Sequence, residues 1–459
     1  MTKGLLEKLQ RLFGRENVYY EQEDMLVYGY DSTPGIQGYP EVVVFPTRHE
    51  LVQQAVMIAA EEQMPVIPRG SGTGLSGGCV AVNGGMVLGL SRLNAIREID
   101  EENLTVTCDA GVVTLDLYNA VAARGLFYPP DPGSQKISTI GGNIAENAGG
   151  LRGLKYGVTR DYVMGLQGVL SDGQNFATGG KAVKDVAGYS LRDLLVGSEG
   201  TLGIITSATL QLIPPPQDKR TMLAYFRDVG SAAEAVSEII AAKVIPATLE
   251  IMDNTTINCV EDFSAIGLPR DMAALLLIEV DGHPAVVEEE AEAVMAILRK
   301  LRASETHQAK DVVQAEQLTA ARRTALSALA RVSPTTVLED ATVPRSRLAN
   351  TFAEIERLKQ QYSLAVGTFG HAGDGNLHPT CLADEGDCEQ MSRVHAFFDD
   401  LYNMVLDIGG TVSGEHGIGL AKQDYLRRQI GDGGIKVMRQ IKDSFDPVGR
   451  LNPGKIFVE

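Results

Sequence analysis

The 459-residue sequence is poor in cysteine, and its cysteines lack the spacing that iron–sulfur clusters and structural zinc sites require. It has five cysteines, at positions 79, 108, 259, 381 and 388, and no C-x-x-C pair. We therefore expect neither an Fe–S cluster nor a thiolate zinc site within this chain. An odd number of scattered cysteines is typical of a reducing compartment, and the cytoplasm is the expected location.

Long apolar runs and an excess of basic residues are also missing. No stretch approaches the 18 apolar residues of a membrane-spanning helix. Residues 1–17 place leucines at helical spacing between charges, which predicts a surface helix and not a secretory signal. The 41 Lys and Arg against 59 Asp and Glu give a formal charge of −18, which argues against a nucleic-acid groove or an anionic membrane surface.

The composition is that of a globular protein, with 44% hydrophobic and 22% charged residues, and the length suggests two or three domains. Three consecutive prolines at 214–216 predict an extended linker between domains. Before the linker, residues 41–68 are predicted as strand, helix and strand, with a capping box of Thr47 and Glu50. After it, strands and helices alternate, which predicts an α+β sandwich of the ferredoxin-like kind. These segments are 221–227, 231–243, 248–252, 274–281 and 284–301.

Glycine is abundant: 26 of the 49 glycines lie between Gly70 and Gly203, less than a third of the chain. The segment RGSGTGLSGG at 69–78 satisfies G-x-G-x-x-G. A Rossmann loop would open a helix, whereas residues 79–82 and 85–90 are predicted as strands. Successive N–H groups in such a loop can still cradle a diphosphate. A plain connection with several turns remains the alternative for this loop taken alone.

Two more glycine-rich stretches accompany this loop: TIGGNIAENAGG at 139–150, shortly after DPGS at 131–134, and GSEGTLGIIT at 197–206. Together they resemble the flavin domain of the vanillyl-alcohol oxidase/p-cresol methylhydroxylase (PCMH) superfamily. The most similar branch contains D-lactate dehydrogenases, D-2-hydroxyglutarate dehydrogenases and the flavin subunit of glycolate oxidase. The resemblance runs from about residue 15 to the C-terminus and implies FAD as cofactor.

The resemblance also implies an α+β fold of two domains. Residues 1–216 would form a PCMH-type FAD-binding domain with two subdomains and a core at about 38–216. Residues 217–459 would form the FAD-linked oxidase C-terminal (cap) domain, with a ferredoxin-like α+β part and a helical C-terminal part.

The resemblance assigns the FAD contacts to three groups of residues. The group expected around the diphosphate is Pro68, Arg69, Gly70, Ser71, Gly72, Thr73, Gly74, Gly77 and Gly78. The group expected along the isoalloxazine and ribityl chain is Pro132, Gly133, Ser134, Thr139, Gly142, Asn143, Asn147, Ala148, Gly149 and Gly150. The group expected on the adenosine side is Glu199, Gly203 and Ile204. Several relatives attach FAD through a histidine of the first loop, which has none here, so we expect non-covalent FAD.

Two short segments concentrate histidines: GHAGDGNLHP at 370–379 and SGEHGIG at 413–419. Asp374-Gly375 is a turn signal, and a hairpin around it would place His371 and His378 side by side. With a carboxylate from Glu415, they form the ligand set of a catalytic site for zinc, manganese or iron. The alternative is that all three are ordinary polar residues of turns. The spacing does not match H-E-x-x-H, so a zincin protease is not indicated.

The hydroxyacid dehydrogenase branch is similar in this ligand set. Carried over, the resemblance implies a divalent metal, zinc before manganese or iron, on His371, His378 and Glu415, with His416 as general base. It also implies Asn376 as an orienting residue, Arg322 as the clamp for the substrate carboxylate with Arg323 as the fallback, and Asn452 near the flavin. The 2-hydroxyglutarate enzymes have a basic residue where this sequence has Leu338, so a monocarboxylate such as lactate or glycolate is favoured.

The expected reaction is oxidation of a small 2-hydroxy acid to the 2-oxo acid, with proton abstraction and hydride transfer to flavin N5. Electrons would pass on to a quinone, an electron-transfer flavoprotein, an Fe–S subunit or oxygen, and a partner could hold the chain at the periphery of the inner membrane. The sequence leaves open whether the chain forms a homodimer. The alternatives are a metal-dependent hydrolase with a nucleotide-binding loop and a non-catalytic flavin subunit of a larger electron-transfer complex.

Overall fold

The structure is a computed structural model that describes residues 1–458, which are rich in both helix and strand. The helices are α1 (Lys3–Phe13), α2 (Gln22–Met25), α3 (His49–Glu61), α4 (Thr114–Ala122), α5 (Ile140–Glu146), α6 (Gly153–Tyr156), α7 (Thr159–Tyr162), α8 (Leu191–Leu195), α9 (Val229–Ala241), α10 (Asn254–Ser264), α11 (Pro284–Lys300), α12 (Val312–Arg323), α13 (Ala325–Leu329), α14 (Leu348–Tyr362), α15 (Cys388–Asp407) and α16 (Gln423–Phe445). Short 3-10 helices are at Arg15–Asn17, Leu26–Tyr28, Leu90–Arg92 and Arg345–Arg347.

The strands build three sheets. They are β1 (Val18–Tyr19), β2 (Val42–Val44), β3 (Val66–Arg69), β4 (Met86–Gly89), β5 (Ile96–Asp100), β6 (Thr105–Asp109), β7 (Val163–Val169), β8 (Asn175–Gly179), β9 (Ile204–Gln211), β10 (Asp218–Phe226), β11 (Thr248–Asp253), β12 (Ala274–Gly282), β13 (Glu305–Gln308), β14 (Thr335–Leu338), β15 (Ala341–Thr342), β16 (Ala365–His371) and β17 (Asn376–Ala383).

The chain divides into two compact units. The first consists of Met1–Gly149, Val158–Pro215 and the residues from Glu415 onward, and the second of Gly150–Gly157 and Pro216–Gly414. The linker predicted at 214–216 is where the chain leaves the first unit. The chain crosses between the units again at Gly150–Gly157 and at Glu415.

The first unit contains two sheets, in agreement with the predicted two subdomains. The smaller sheet has the order β1-β2-β4-β3, in which β2, β4 and β3 are parallel. The apolar faces of α1 and α3 pack against it, with Leu9 and Val52 fully buried. The C-terminal segment extends this sheet at its β3 edge, because the Val66 N–H donates to the Arg450 carbonyl at 2.9 Å and the Asn452 N–H donates to the Val66 carbonyl at 2.8 Å.

The second sheet of the first unit is antiparallel, with the order β5-β6-β9-β7-β8. Alternate residues of its central strands face a core that also receives apolar residues of α4, α5 and the last turns of α16. This arrangement brings the N-terminus of α5, where the second glycine-rich stretch begins, against β9, where the third one ends.

The second unit is built on one eight-stranded sheet, whose main path is β13-β10-β12-β11-β16-β17-β14, with β15 also paired to β17. Its first four strands, taken in chain order, have the arrangement 4-1-3-2, with α9 and α11 as crossovers, which is the ferredoxin-like arrangement. The hairpin of β16 and β17 continues the sheet from β11. The predicted α+β fold is therefore confirmed.

Three local predictions were wrong. Residues 79–82 form turns instead of a strand, although no helix follows the first glycine loop, as expected. The capping box of Thr47 and Glu50 does not form, because α3 begins at His49 and no side chain caps it. The helix α10 was not predicted at all. Among the described residues, no helix combines the length and the apolar character needed to cross a membrane.

Candidate active site

The hairpin of β16 and β17 positions the two predicted histidine ligands in the second unit. His371 pairs with Asn376, and His378 pairs with Phe369, so all four side chains lie on one face of the sheet. The two imidazole rings are buried, with centroids 5.2 Å apart, and ring nitrogens of the two lie within 4.8 Å of one another. The turn needs glycine at Gly375, because φ is +85° there and a Cβ would collide with the carbonyl of Val343.

A buried carboxylate, Glu250 on β11, connects His371 to Arg322. Its Oε1 lies 2.7 Å from Nδ1 of His371, and its Oε2 lies 2.5 Å from Nη2 of Arg322. Burial raises the pKa of Glu250, but Arg322 and His371 outweigh it and hold this pKa below its usual range. An acceptor at Nδ1 fixes the ring of His371 and makes Nε2 the nitrogen that could bind a metal. Sequence reasoning missed Glu250, whose signal is a charged residue between Leu249 and Ile251 inside β11.

Arg322 lies in the last turn of α12, and its side chain is only 5% exposed. Its guanidinium carbon is 4.7 Å from the centroid of the Phe369 ring, on the same face of the sheet as the histidines. Its Nε is buried and has no hydrogen-bond partner among the described residues. Because one guanidinium offers five N–H donors, the ion pair with Glu250 leaves donors for an anionic ligand. Arg323, the fallback, is half-buried.

Asn376 and Asp340 form the polar end of the same hairpin. The Nδ2 of Asn376 donates to Oγ1 of Thr342 at 2.6 Å, while its buried Oδ1 has no hydrogen-bond partner among the described residues. Asp340 is fully buried and accepts the Gly414 N–H at 2.7 Å. The second unit therefore brings together His371, His378, Arg322 and Asn376. It also anchors Gly414, the residue that precedes Glu415 in the chain.

Glu415 and His416 begin the last segment of the first unit. Nε2 of His416 lies 3.7 Å from Oε1 of Glu415, and both side chains are largely buried. Oε2 of Glu415 would be 2.9 Å from a Cβ added to Gly149, so the predicted third ligand contacts the end of the second glycine-rich stretch. The predicted ligand set is therefore divided between the two units: its histidines belong to the second and its carboxylate to the first.

The first glycine loop offers a set of backbone donors. The N–H groups of Ser71, Gly72, Thr73 and Gly74 follow one another outside secondary structure, and none donates to another described residue. Such a row of amides binds an anion such as a diphosphate. The guanidinium of Arg69, in contrast, is buried and donates to the Tyr30 carbonyl at 2.7 Å. The loop fits the predicted diphosphate site through its backbone.

The second glycine-rich stretch forms α5 and its ends. Thr139 caps the helix by accepting the Gly142 N–H at 3.2 Å, and Asn143 donates to Oγ1 of Thr114 at 2.8 Å. Asn147 ends the helix with φ of +53°, and Ala148 and Gly149 follow it, whereas Gly150 begins the segment of the second unit. Pro132, Gly133 and Ser134 lie in a turn, with open space around Gly133. Thr139 thus caps the start of α5, and Asn143 joins α5 to the start of α4.

The third stretch meets the C-terminus. Glu199 is buried, and Gly203 and Ile204 pack where β9 begins. Nδ2 of Asn452 donates to the carbonyls of Gly78 and Glu199, both at 2.7 Å, and so joins the first loop to the third stretch. Oδ1 of Asn452 is buried without a hydrogen-bond partner among the described residues, so it could accept one from a cofactor. The residues of the first unit fit FAD by these donors and by this acceptor.

Two family descriptions match the chain. "FAD binding domain" matches residues 40–179, and "FAD linked oxidases, C-terminal domain" matches residues 215–456. The chain therefore belongs to the FAD-linked oxidases, which are flavoenzymes, and the predicted FAD-binding domain is confirmed.

Curated relatives cover nearly the whole chain. The chain is 50% identical over 459 residues to "Glycolate oxidase subunit GlcD" of Bacillus subtilis (strain 168), covering 100% of this chain and 98% of that protein. It is 38% identical over 454 residues to the protein of the same name in Escherichia coli (strain K12), covering 99% and 91%. It is 38% identical over 435 residues to "D-lactate dehydrogenase" of Archaeoglobus fulgidus, covering 94% and 95%.

Solved structures show the same fold. A p-cresol methylhydroxylase with substrate bound superimposes with a TM-score of 0.78 at 19% identity, covering 100% of this chain and 98% of that one. An alkyldihydroxyacetonephosphate synthase gives a TM-score of 0.78 at 19% identity, covering 99% and 86%. The resemblance to the PCMH superfamily is confirmed at the level of the fold.

Proposed function

We propose that this chain oxidises a small 2-hydroxy acid, glycolate or D-lactate, to the 2-oxo acid with non-covalent FAD and a divalent metal. The observation that carries the proposal is the group on one sheet face of the second unit: His371, His378 and Arg322, with Glu250 between two of them. A hydroxy acid that chelates a metal requires a cation that binds its carboxylate and imidazoles that bind the metal beside it. The names of the relatives support the same substrate class.

FAD would be held through the backbone amides of residues 71–74 and the free Oδ1 of Asn452. When bound, FAD supplies the two-electron chemistry of the reaction. Non-covalent binding is supported by the histidine that lies nearest upstream of the first loop. His49 has its Nδ1 2.8 Å from Oγ1 of Thr206 and its Nε2 3.0 Å from Oδ1 of Asn175, so both ring nitrogens are occupied within the first unit.

A divalent metal, zinc before manganese or iron, would be held by His371, His378 and Glu415. The hydrogen bond that Nδ1 of His371 donates to Glu250 fits this role, because it fixes the ring of His371 and raises its basicity. The anchoring of Gly414 by Asp340 fixes the chain directly before Glu415. When bound, the metal would lower the pKa of the substrate hydroxyl. Against the alternative of ordinary polar turn residues, both imidazoles are buried on one sheet face and not exposed in a turn.

The substrate carboxylate would be held by Arg322. A guanidinium matches a carboxylate in bidentate geometry, and the ring of Phe369 supports its flat face. The proton of the substrate hydroxyl would go to His416 as the general base, while Oδ1 of Asn376 is available to accept a hydrogen bond from the substrate. Oxidation removes this proton and the hydrogen on C2 with its electron pair, which leaves the 2-oxo acid.

The electrons must leave the chain through a partner or a small acceptor. The five cysteines are scattered along the sequence and contain no C-x-x-C pair, so their spacing gives no support for an Fe–S cluster within this chain. The word "subunit" in the names of the relatives supports a protein acceptor, such as a separate Fe–S subunit. A quinone and an electron-transfer flavoprotein are the other acceptors to test.

The experiment is an anaerobic titration of the FAD-loaded protein with glycolate, D-lactate, L-lactate and 2-hydroxyglutarate, followed by the flavin absorbance. We expect bleaching by glycolate or D-lactate and little by 2-hydroxyglutarate. His416→Ala should retain FAD but lose the bleaching. His395→Ala is the matched control, because His395 is a histidine of α15 outside the predicted set.

Chelation tests the metal separately. Treatment with EDTA followed by removal of the chelator should abolish bleaching, and Zn²⁺ or Mn²⁺ should restore it. Bleaching that is indifferent to chelator and to His378→Ala would remove the metal from the proposal. A yellow protein that no 2-hydroxy acid bleaches would refute the proposed reaction and favour the non-catalytic flavin subunit.

A further inference from the structure

The carboxylate of Glu199 holds the loop that carries the proposed base. Its Oε1 accepts the N–H of Ile418 at 2.7 Å, and its Oε2 accepts the N–H of Gly419 at 2.7 Å. Glu199 is 6% exposed, so both hydrogen bonds form away from solvent. These amides lie two and three residues beyond His416 in the chain. A charged acceptor that binds two successive amides fixes the direction of the backbone between them.

Glu199 is itself fixed by its backbone. Its N–H donates to the Ala145 carbonyl near the end of α5 at 2.9 Å, and its carbonyl accepts from Nδ2 of Asn452 at 2.7 Å. The residue has φ of +51°, a conformation that non-glycine residues rarely adopt. Such backbone strain is typical of residues with a role at a functional site. The backbone of Glu199 is therefore held by two hydrogen bonds, which fixes the position from which its side chain reaches the loop.

A second carboxylate, Glu146 at the end of α5, approaches the same loop. A Cβ added to Gly417 would collide with Oε2 of Glu146 and would lie 3.0 Å from Oε1 of Glu199. With φ of +82°, Gly417 is a position that only glycine fills without strain. Oε2 of Glu146 is buried and has no hydrogen-bond partner among the described residues. The loop thus passes between two carboxylates, and Glu199 accepts hydrogen bonds from two of its amides.

The surroundings separate the two acids. Burial raises the pKa of Glu146 well above its usual range, and the charges of Glu199 and Asp31 raise it further. Burial also raises the pKa of Glu199, but the amides of Ile418 and Gly419 and the charge of Lys455 oppose the rise. The pKa of Glu199 stays above its usual value, but its two amide donors favour the ionised form, and Glu146, whose Oε2 has no such donor among the described residues, is the acid that is more easily kept neutral.

We propose that Glu199 is a positioning residue of this enzyme, which sets the backbone of residues 416–419 so that His416 reaches the substrate hydroxyl. The inference rests on the proposed function, in which His416 is the base. It gives Glu199 a task within the protein, whereas the resemblance implies a contact of this residue on the adenosine side of FAD.

The test compares Glu199→Gln, Glu146→Gln and Glu61→Gln in the FAD-loaded protein. Glutamine has the shape of glutamate but one acceptor oxygen, so its NH₂ group would face one loop amide. For Glu199→Gln we expect flavin reduction by glycolate or D-lactate to slow about 10- to 100-fold, with FAD content and substrate Kd within about twofold. Glu146→Gln imitates the neutral acid, so it should slow flavin reduction much less than Glu199→Gln does. Glu61→Gln is the matched control, because the exposed carboxylate of Glu61 pairs with Lys8, and it should leave the rate of flavin reduction unchanged.

A readout independent of activity is hydrogen–deuterium exchange of peptides covering residues 416–421. Loss of a charge-assisted hydrogen bond should speed exchange of this segment about tenfold or more in Glu199→Gln, with residues 163–169 of β7 as the internal reference. If Glu199→Gln fails to fold, Glu199→Asp replaces it, because aspartate keeps the charge on a shorter side chain. Slower flavin reduction and faster exchange of residues 416–421 are then expected, both smaller than for Glu199→Gln.

Two results would overturn the inference: wild-type reduction kinetics in Glu199→Gln, or slow reduction with unchanged exchange at 416–421. A larger loss in Glu146→Gln than in Glu199→Gln would overturn the assignment of the two acids. Failure of the proposed function would give a different result, because no 2-hydroxy acid would then reduce the wild-type flavin. The hydrogen–deuterium exchange comparison would still report whether Glu199 holds the loop.

Discussion

Replacing Glu250 by glutamine removes one charge from a buried group of three side chains. The carboxylate is 1% exposed and lies within 2.7 Å of both Nδ1 of His371 and a guanidinium nitrogen of Arg322. Glutamine keeps the size and one acceptor oxygen, which can still receive the Nδ1 proton of His371. The positive charge of Arg322 would then be buried without its counter-charge. The perturbation is therefore electrostatic, with little change of volume.

The expected cost follows from the burial. Breaking a buried ion pair by removing one partner destabilises a protein by about 3–5 kcal/mol. At about 2–4 °C for each kcal/mol, the conversion for a domain of the size of the second unit, the midpoint of its thermal unfolding should fall by about 6–20 °C. Because Glu250 also orients His371, the affinity of the proposed metal site should fall about 10- to 100-fold. Both effects have one origin and should appear together.

The assays are differential scanning calorimetry of Glu250→Gln and competition of its bound zinc against a chelator of known affinity. Glu305→Gln is the matched control, because Oε1 of Glu305 lies 2.7 Å from Nε2 of His307 on the surface of the same sheet. An exposed pair of this kind contributes at most about 1 kcal/mol. Equal shifts in the two variants would refute the reasoning, since burial would then not decide the cost.

Further predictions concern binding, pH and the cofactor. Arg322→Lys should raise the Kd for glycolate at least about tenfold, measured by flavin titration, because lysine cannot form the bidentate pair. Glu146 has a raised pKa in the folded protein, so its contribution to stability is full below the unfolded value of about 4.3 and is lost as the pH rises through the folded value. Denaturant unfolding of Glu146→Gln should accordingly show a smaller loss of stability with rising pH than the wild type. Acid precipitation should leave a yellow supernatant and a colourless pellet, whereas flavin in the pellet would contradict non-covalent binding. Leu338→Lys should raise activity with 2-hydroxyglutarate relative to glycolate.

The parts of the site that sequence predicts are those governed by local chemistry. The hairpin of His371 and His378 follows from a turn signal between two apolar runs, and the observed strands flank it. The alternation of strands and helices after the prolines likewise predicts the ferredoxin-like part. These patterns depend on neighbours within a few residues, which is the range over which turn geometry and side-chain periodicity act.

The parts of the site that the sequence does not reveal depend on contacts between residues that are far apart in the chain. Glu250 meets His371 across 121 residues, through the pairing of β11 with β16. Glu199 meets Gly419 across 220 residues, and only the return of the C-terminal segment to the first unit makes that contact. Neither pairing has a local signal. The wrong capping box at Thr47 has the same origin, because the bonds of His49 to Thr206 and Asn175 fix the start of α3.

Under the proposed function, the choice between monocarboxylates and dicarboxylates would depend on one more position of the same sheet face. Leu338 on β14 pairs with Thr380, two residues from His378, so its side chain lies on the face of the histidines. The charge of Arg322 is already balanced by Glu250, and one substrate carboxylate can share that cation. A second carboxylate near Leu338 would lose water and meet an apolar side chain, which is unfavourable for a charge without a partner. Selection against dicarboxylates would thus come from the missing cation at position 338, and not from a lack of room.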